Sequence, residues 1–195
     1  MTHKNYLEDL NNSKKTFIIY KSNKGFDLYT DFSKRIILTN NNVKRFINES
    51  TKLKSKRKET DLFIGFFGYE ILNNLIGVKV KKQKGLKFPK GIFYKPETKL
   101  KLPIKLNYRN LGIVKPNTLF NININKTSYK IIFNKFKKKI KSGETYQIKI
   151  CTKYRNKTQI DALDFFCRLV KSNMAPEAFM IKDKDYSIIS CSPEN

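Results

Sequence analysis

The chain has 195 residues, enough for one core-bearing domain, and 41 lysines and arginines against 16 acids give it a formal net charge of +25. Such a balance normally points to a polyanion, but arginine, the residue suited to bidentate phosphate and base contacts, occurs only at Arg35, Arg45, Arg57, Arg109, Arg155 and Arg168. Lysine, asparagine and isoleucine are all abundant, as AT-rich codons would produce, so composition argues against a nucleic-acid partner; no apolar run reaches membrane-spanning length and no secretory stretch opens the chain, so the expectation is a cytoplasmic protein with no membrane partner.

In chain order, the lone histidine, His3, lies in a polar tail and cannot by itself build a metal site or a triad. Phe17 to Tyr20, Phe26 to Tyr29 and Arg35 to Thr39 predict a meander of short strands, broken at Asn23-Lys24-Gly25 and at Asp31 to Lys34. A helix is expected from about Asn42 to Leu53, followed by a lysine-rich linker, Lys52 to Lys58. Phe63, Phe66, Phe67 and Tyr69 could serve as a base-stacking platform, but they fall in a continuous apolar run between Asp61 and Glu70, which reads as a buried strand entering a turn. Tyr69 to Ile76 predicts a short helix stopped at Gly77. Prolines at Pro89, Pro96, Pro103 and Pro116 make Lys79 to Asn117 loop-rich with two edge strands, and Thr118 to Ile124 alternates like a strand with one face in solvent.

From Tyr129 the apolar residues Ile132, Phe133, Phe136 and Ile140 recur at helical spacing with lysines, including the run Lys135 to Lys141, on the solvent face. Thr127 and Ser128 are candidate caps, Gly143 is the stop, and a strand is expected over Tyr146 to Tyr154. A second helix spans Thr158 to about Ser172, opened by Thr158 and Asp161 and burying Leu163, Phe166, Cys167 and Val170. Strands Ala178 to Lys182 and Tyr186 to Cys191 flank a polar turn, Asp183-Lys184-Asp185. Cys151, Cys167 and Cys191 have no metal or redox spacing and are expected to be reduced core residues. Mixed strands and helices without regular βαβ alternation predict an α+β fold.

These elements and the residues at their joints resemble the chorismate-binding enzymes, anthranilate synthase component I and aminodeoxychorismate synthase component I. The residues that carry the resemblance are Tyr129, Phe133, Phe136-Lys137, Ile140, Gly143-Glu144 and Tyr146-Gln147, then Asn173-Met174-Ala175-Pro176-Glu177 and Ser192-Pro193-Glu194. Upstream, Ile64 to Glu70 resembles a Gly-Tyr-x-x-Tyr-Asp element, and Phe88-Pro89 falls where the family has Leu-Pro. The resemblance covers residues 60 to 195 well and residues 1 to 60 loosely. It implies a layered β-sheet sandwich with flanking helices, divided into an N-terminal region, 1–117, and the start of the chorismate-binding domain, 118–195.

Members of the family are more than twice this long, so the resemblance implies an N-terminal fragment, inactive and poorly soluble alone, with Tyr186 to Cys191 left as an open sheet edge. The complete enzyme would use chorismate, magnesium and ammonia from a glutamine amidotransferase subunit; the fragment itself would bind no metal and hold no catalytic residue. Gln147 is the one residue the resemblance puts at the substrate pocket, with Gly143, Tyr146, Asn173, Pro176, Ser192, Pro193 and Glu194 as motif positions. Relatives that hydrate chorismate have a basic lysine where Gln147 stands; an amide takes no proton at neutral pH, which favours amination, while Lys149 keeps hydration open as a register slip. Anthranilate for tryptophan and aminodeoxychorismate for folate both stay open. Ser22 faintly matches an effector-binding Leu-Leu-Glu-Ser element, against the preferred reading of Ser22 as a strand end. Alternatives to the enzyme fragment are a basic nucleic-acid-binding module and an inactive remnant.

Overall fold

Side chains alternate along Phe17-Ile18-Ile19, so Phe17 and Ile19 share one face and Ile18 takes the other; all three are fully buried, as a strand covered on both faces requires. The computed structural model describes residues 3–22, 25–52, 58–78, 88–106, 108, 119–158, 160–173 and 175–192. Its elements are α1 (His3–Asn12), β1 (Phe17–Ser22), β2 (Gly25–Ile37), α2 (Val43–Ser50), β3 (Ile64–Phe67), α3 (Tyr69–Leu75), β4 (Gly91–Leu102), β5 (Asn121–Ile122), α4 (Lys126–Lys141), β6 (Tyr154–Arg155), α5 (Ala162–Ser172), β7 (Glu177–Lys182) and β8 (Ser187–Ser192). They fall into two units, Met1–Arg109 with Ala162–Asn195, and Asn110–Asp161.

The first unit is built on a six-stranded antiparallel sheet of order β3-β4-β2-β1-β7-β8. On one face, Phe17, Ile19, Phe26, Leu28, Ala178 and Met180 pack against Leu7 and Leu10 of α1 and against Leu163, Phe166 and Cys167 of α5. The other face gathers Ile18, Tyr29, Ile92, Tyr94 and Ile181. A third cluster joins Phe93 of β4 to Val43 and Phe46 of α2 and Ile71 of α3. Removing a side chain such as fully buried Phe166 would cost about 3–5 kcal/mol, from lost transfer energy and the cavity left behind. An antiparallel sheet with flanking helices is an α+β architecture, as the sequence predicts. The sheet also crosses the division at residue 117, because β1 pairs directly with β7.

Several local expectations change. The segment around His3 is no tail: His3 opens α1, because Leu7 and Leu10 lie three residues apart and find an apolar face to cover. The strands expected at Phe26 and Arg35 are one 13-residue strand, β2; the break at Asp31 to Lys34 is a register shift in the β2–β4 ladder, with Asp31 at φ 51. A bulge bends a strand without ending it. Opposite it, Pro96 sits inside β4, a central strand where edge strands were expected. The irregular ladder accepts the residue that cannot donate, and β3 pairs only with residues 91–94. The helix expected to begin at Asn42 runs Val43–Ser50, and the Asn42 side chain instead accepts from Thr39 N (2.8 Å) and donates to Ile37 O (2.9 Å). The short helix before Gly77, which has φ 76, forms as expected. Phe63, Phe66 and Phe67 are half-buried against the clusters, whereas Tyr69 is 72% exposed at the start of α3 and is not a core residue.

In the second unit β5 and β6 form a two-residue antiparallel ladder, Asn121↔Arg155 and Ile122↔Tyr154, on either side of α4 in sequence. The strand expected over Thr118 to Ile124 is therefore reduced to Asn121–Ile122, with Thr118 outside the described residues. Cys167 is buried and Cys191 half-buried, but Cys151 is an exposed thiol, because its segment joins no sheet among the described residues.

Candidate functional site

The motif segment begins with α4, whose start is capped two to three residues earlier than the sequence suggests. Asn125, not Thr127 or Ser128, is the N-cap, and its side chain accepts from Ser128 N at 2.8 Å. The other end closes as predicted. Gly143 adopts φ 75, Glu144 N donates to Lys139 O (3.0 Å) and Gly143 N to Ile140 O (3.1 Å), the paired bonds of a glycine-terminated helix. The Glu144 carboxylate pairs with Lys139 and accepts from Ser142 Oγ at 3.2 Å, and the Lys139 hydrogen bond is the main reason its pKa is lowered. No residue of α4 is buried: Tyr129, Ile131, Phe133 and Ile140 are all exposed, as is most of the lysine run Lys135 to Lys141.

Beyond Gly143 the expected strand Tyr146 to Tyr154 is absent except for Tyr154–Arg155, because residues 146–153 have no ladder partner among the described residues apart from the hydrogen bonds linking Lys153 to Asn123. Tyr146 is 92% exposed and Gln147 is exposed, its carbonyl accepting from Thr145 Oγ1 at 3.1 Å. Lys149, also exposed, shares no strand face with Gln147 because the segment is not a strand. The second helix starts at Ala162, four residues later than expected, and Thr158 donates its hydroxyl to the Asn156 side chain.

In the first unit the structure brings together two segments far apart in sequence, Tyr20-Lys21 at the end of β1 and Asn173 to Glu177 between α5 and β7. Lys21 Nζ donates to Ala175 O (2.5 Å) and Tyr20 OH to Glu177 Oε1 (3.0 Å). Burial first, and then Glu177, raises the Tyr20 pKa. Asn173 is fixed by donating through Nδ2 to Cys191 O (3.1 Å), while Cys191 Sγ donates to Asn173 O (3.3 Å). Ala175 is buried and Pro176 half-buried. Ser22 pairs with Gly25 through the β1–β2 turn, and Ser192 pairs with Glu177 across β7–β8. Met174, Pro193 and Glu194 lie outside the described residues, as does the Ser22 side chain.

Nothing in the sequence marks Asp183, which reads as an ordinary turn residue yet is bonded through both carboxylate oxygens. Its Oδ2 accepts from Tyr94 OH (2.5 Å), Arg35 Nη2 (2.8 Å) and Arg35 Nε (3.1 Å), and its Oδ1 from Lys184 N (2.7 Å) and Thr16 Oγ1 (3.2 Å). Burial by itself would raise the Asp183 pKa, but the bonds from Tyr94, Arg35 and Lys184 outweigh it and bring it from 3.8 to about 2. Arg35 is raised in turn by Asp183, and Tyr94 is raised by its burial and then by Asp183. The knot ties the β7–β8 turn to β2, β4 and the approach to β1. No sequence period could mark it, since its partners lie 148, 89 and 167 residues away.

Among the described residues no group of three His, Cys, Asp or Glu side chains could hold a metal ion. Nor is any helix of the described residues long and apolar enough to cross a membrane. Residues 112–195 match the family model of the chorismate binding enzymes. The chain is 25% identical over 186 residues to anthranilate synthase component 1 of Buchnera aphidicola subsp. Diuraphis noxia, covering 77% of this chain and 36% of that protein. It is 29% identical over 126 residues to the protein of the same name from subsp. Schizaphis graminum, covering 64% and 23%. The protein of that name from subsp. Pemphigus spyrothecae is 24% identical over 185 residues, covering 77% and 35%. The chain thus spans about a quarter to a third of the length of the curated relatives it matches.

Proposed function

We propose that the chain, whose residues 112–195 match the chorismate binding enzymes, is a member of that family and forms the N-terminal part of a chorismate-aminating synthase component I on the anthranilate side. The observation that carries the reading is the segment Gly143 to Gln147, which lies inside the matched stretch and has a helix end, a glycine stop and a glutamine in the order that the resemblance implies. Water becomes a good nucleophile only when a base removes its proton, and the Gln147 amide is no base. Ammonia carries a free lone pair and needs no such help, so a glutamine at this position suits amination. The anthranilate product is preferred over aminodeoxychorismate because all three relatives named above are anthranilate synthase components.

In the complete enzyme ammonia would come from a glutamine amidotransferase subunit, and magnesium would be held by the polypeptide that the relatives have outside the matched stretch. The chain's own contribution is to position Gln147 and to build the sheet that joins residues 17–22 to residues 177–182. Lys21 and Glu177 are engaged by Ala175 and Tyr20, which argues against using these two segments to hold tryptophan as an effector.

The test is a chimera in which residues 1–192 replace the matching third of the Diuraphis noxia relative, assayed by chorismate-dependent anthranilate fluorescence with ammonium and magnesium. The chimera is expected to make anthranilate and residues 1–195 alone to make none. A chimera that is folded by circular dichroism and monodisperse yet silent would overturn the reading, and so would catalysis by the chain alone.

A further inference from the structure

A cleft of about 460 Å³ opens between α2, β3 and the bulged part of β2 and β4, in the volume range of roughly 300–1,000 Å³ typical of small-molecule sites. Its floor is aromatic: Phe46 lies 5.3 Å from Phe63 and 4.7 Å from Phe93 between ring centroids, and Phe67 lies 4.8 Å from Phe93. The rings are tilted or edge-on to one another at 39° to 77°, so the floor offers both ring edges and ring faces. Phe46 and Phe93 are buried, while Phe63 and Phe67 are half-buried and reach the open space.

The rim is charged and unbalanced. Among the described residues Lys34, Lys52 and Lys95 line it together with Glu49 and Asp61, an excess of one positive charge. Both carboxylates have cations: Asp61 lies 3.8 Å from Lys95 and Glu49 lies 3.8 Å from Arg45. Lys34 has no ion pair among the described residues. It also stands directly opposite Lys95 in the β2–β4 ladder, and like charges facing across an antiparallel pair repel. A single anion between the two ammonium groups would turn that repulsion into attraction.

We infer that this cleft binds a small aromatic carboxylate, with the ring on Phe63 and Phe67 and the carboxylate between Lys34 and Lys95. A monoanion fits the charge excess, and the described rim residues include no arginine that would hold a phosphate bidentately. The inference stands apart from the proposed synthase reading, because every residue in it precedes Lys95 or is Lys95 and none lies in the matched stretch.

The experiment is a fluorine NMR titration of 4-fluorobenzoate against the full chain at low salt, with Lys34→Gln as the variant; Lys34 is exposed, so circular dichroism should show the variant folded. Saturable broadening is expected, displaced by benzoate, with affinity falling about fivefold in Lys34→Gln, as losing one solvent-accessible charged contact implies. Neutral 4-fluorobenzamide and non-aromatic cyclohexanecarboxylate should bind several-fold more weakly. The inference is overturned if fluorobenzoate binding never saturates, if Lys34→Gln binds it like the wild type, or if the amide, cyclohexanecarboxylate or octanoate binds as well as benzoate.

Discussion

Replacing Asp183 with alanine removes the acceptor for five hydrogen bonds at once and takes from the buried Tyr94 hydroxyl its shortest hydrogen bond, leaving the 3.3 Å contact to Tyr186 OH. Breaking a buried ion pair from one side costs about 3–5 kcal/mol. Arg35 keeps 44% of its side chain exposed and can rehydrate, which brings the expected loss to the lower end, about 3 kcal/mol. The pKa gives an independent figure: a carboxyl held at about 2 instead of 3.8 contributes about 2 kcal/mol at neutral pH. Because the folded value is depressed, that contribution is fully present above the unfolded value near pH 4 and is lost as pH falls towards 2. Urea unfolding followed by circular dichroism should therefore show Asp183→Ala less stable than the wild type at pH 7, with the gap narrowing by about 2 kcal/mol between pH 4 and pH 2. Asp183→Asn, which keeps one acceptor oxygen, should fall between the two at pH 7. A gap under about 0.5 kcal/mol at pH 7, or one that does not change with acid, would refute the knot as a stabilising element.

Two glycine substitutions separate close approach from backbone freedom. An added Cβ at Gly65 would sit 1.9 Å from Ile92 O and 2.7 Å from Phe93 Cα, both backbone atoms, so Gly65→Ala must part β3 from β4. The expected cost is about 3 kcal/mol or more, with faster hydrogen exchange at β3 amides; a wild-type melting curve would contradict the β3–β4 register. Gly143→Ala meets nothing within 4 Å but keeps φ at 75, so the loss should be only about 1 kcal/mol, smaller still for Gly143→Asn. Equal damage from Gly65→Ala and Gly143→Ala would mean that one of these two assignments fails.

What was legible in the sequence is what neighbouring residues decide among themselves. The spacing of Ile132, Phe136 and Ile140 marked α4, Gly143 marked its end, and Asp183-Lys184-Asp185 between two apolar runs marked the β7–β8 hairpin. The motif order that gives the family is equally local, a string of residue types at fixed offsets. Tertiary structure decided whatever needs a partner from elsewhere. Tyr146 to Lys153 has a strand's composition yet forms none, because composition cannot supply a ladder neighbour. Pro96 reads as an edge residue but lies in a central strand, since the bulge beside Phe32 removes the demand for a regular ladder. Lys34 and Lys95 are two surface lysines in the sequence and a facing pair only in the sheet. Asp183 and Asp185 look alike in the turn, and only Asp183 meets Arg35 and Tyr94. Local periodicity and capping are written in the order of the chain, whereas the pairing of strands and the charges it brings together depend on contacts between distant segments, which exist only once the chain has closed on itself.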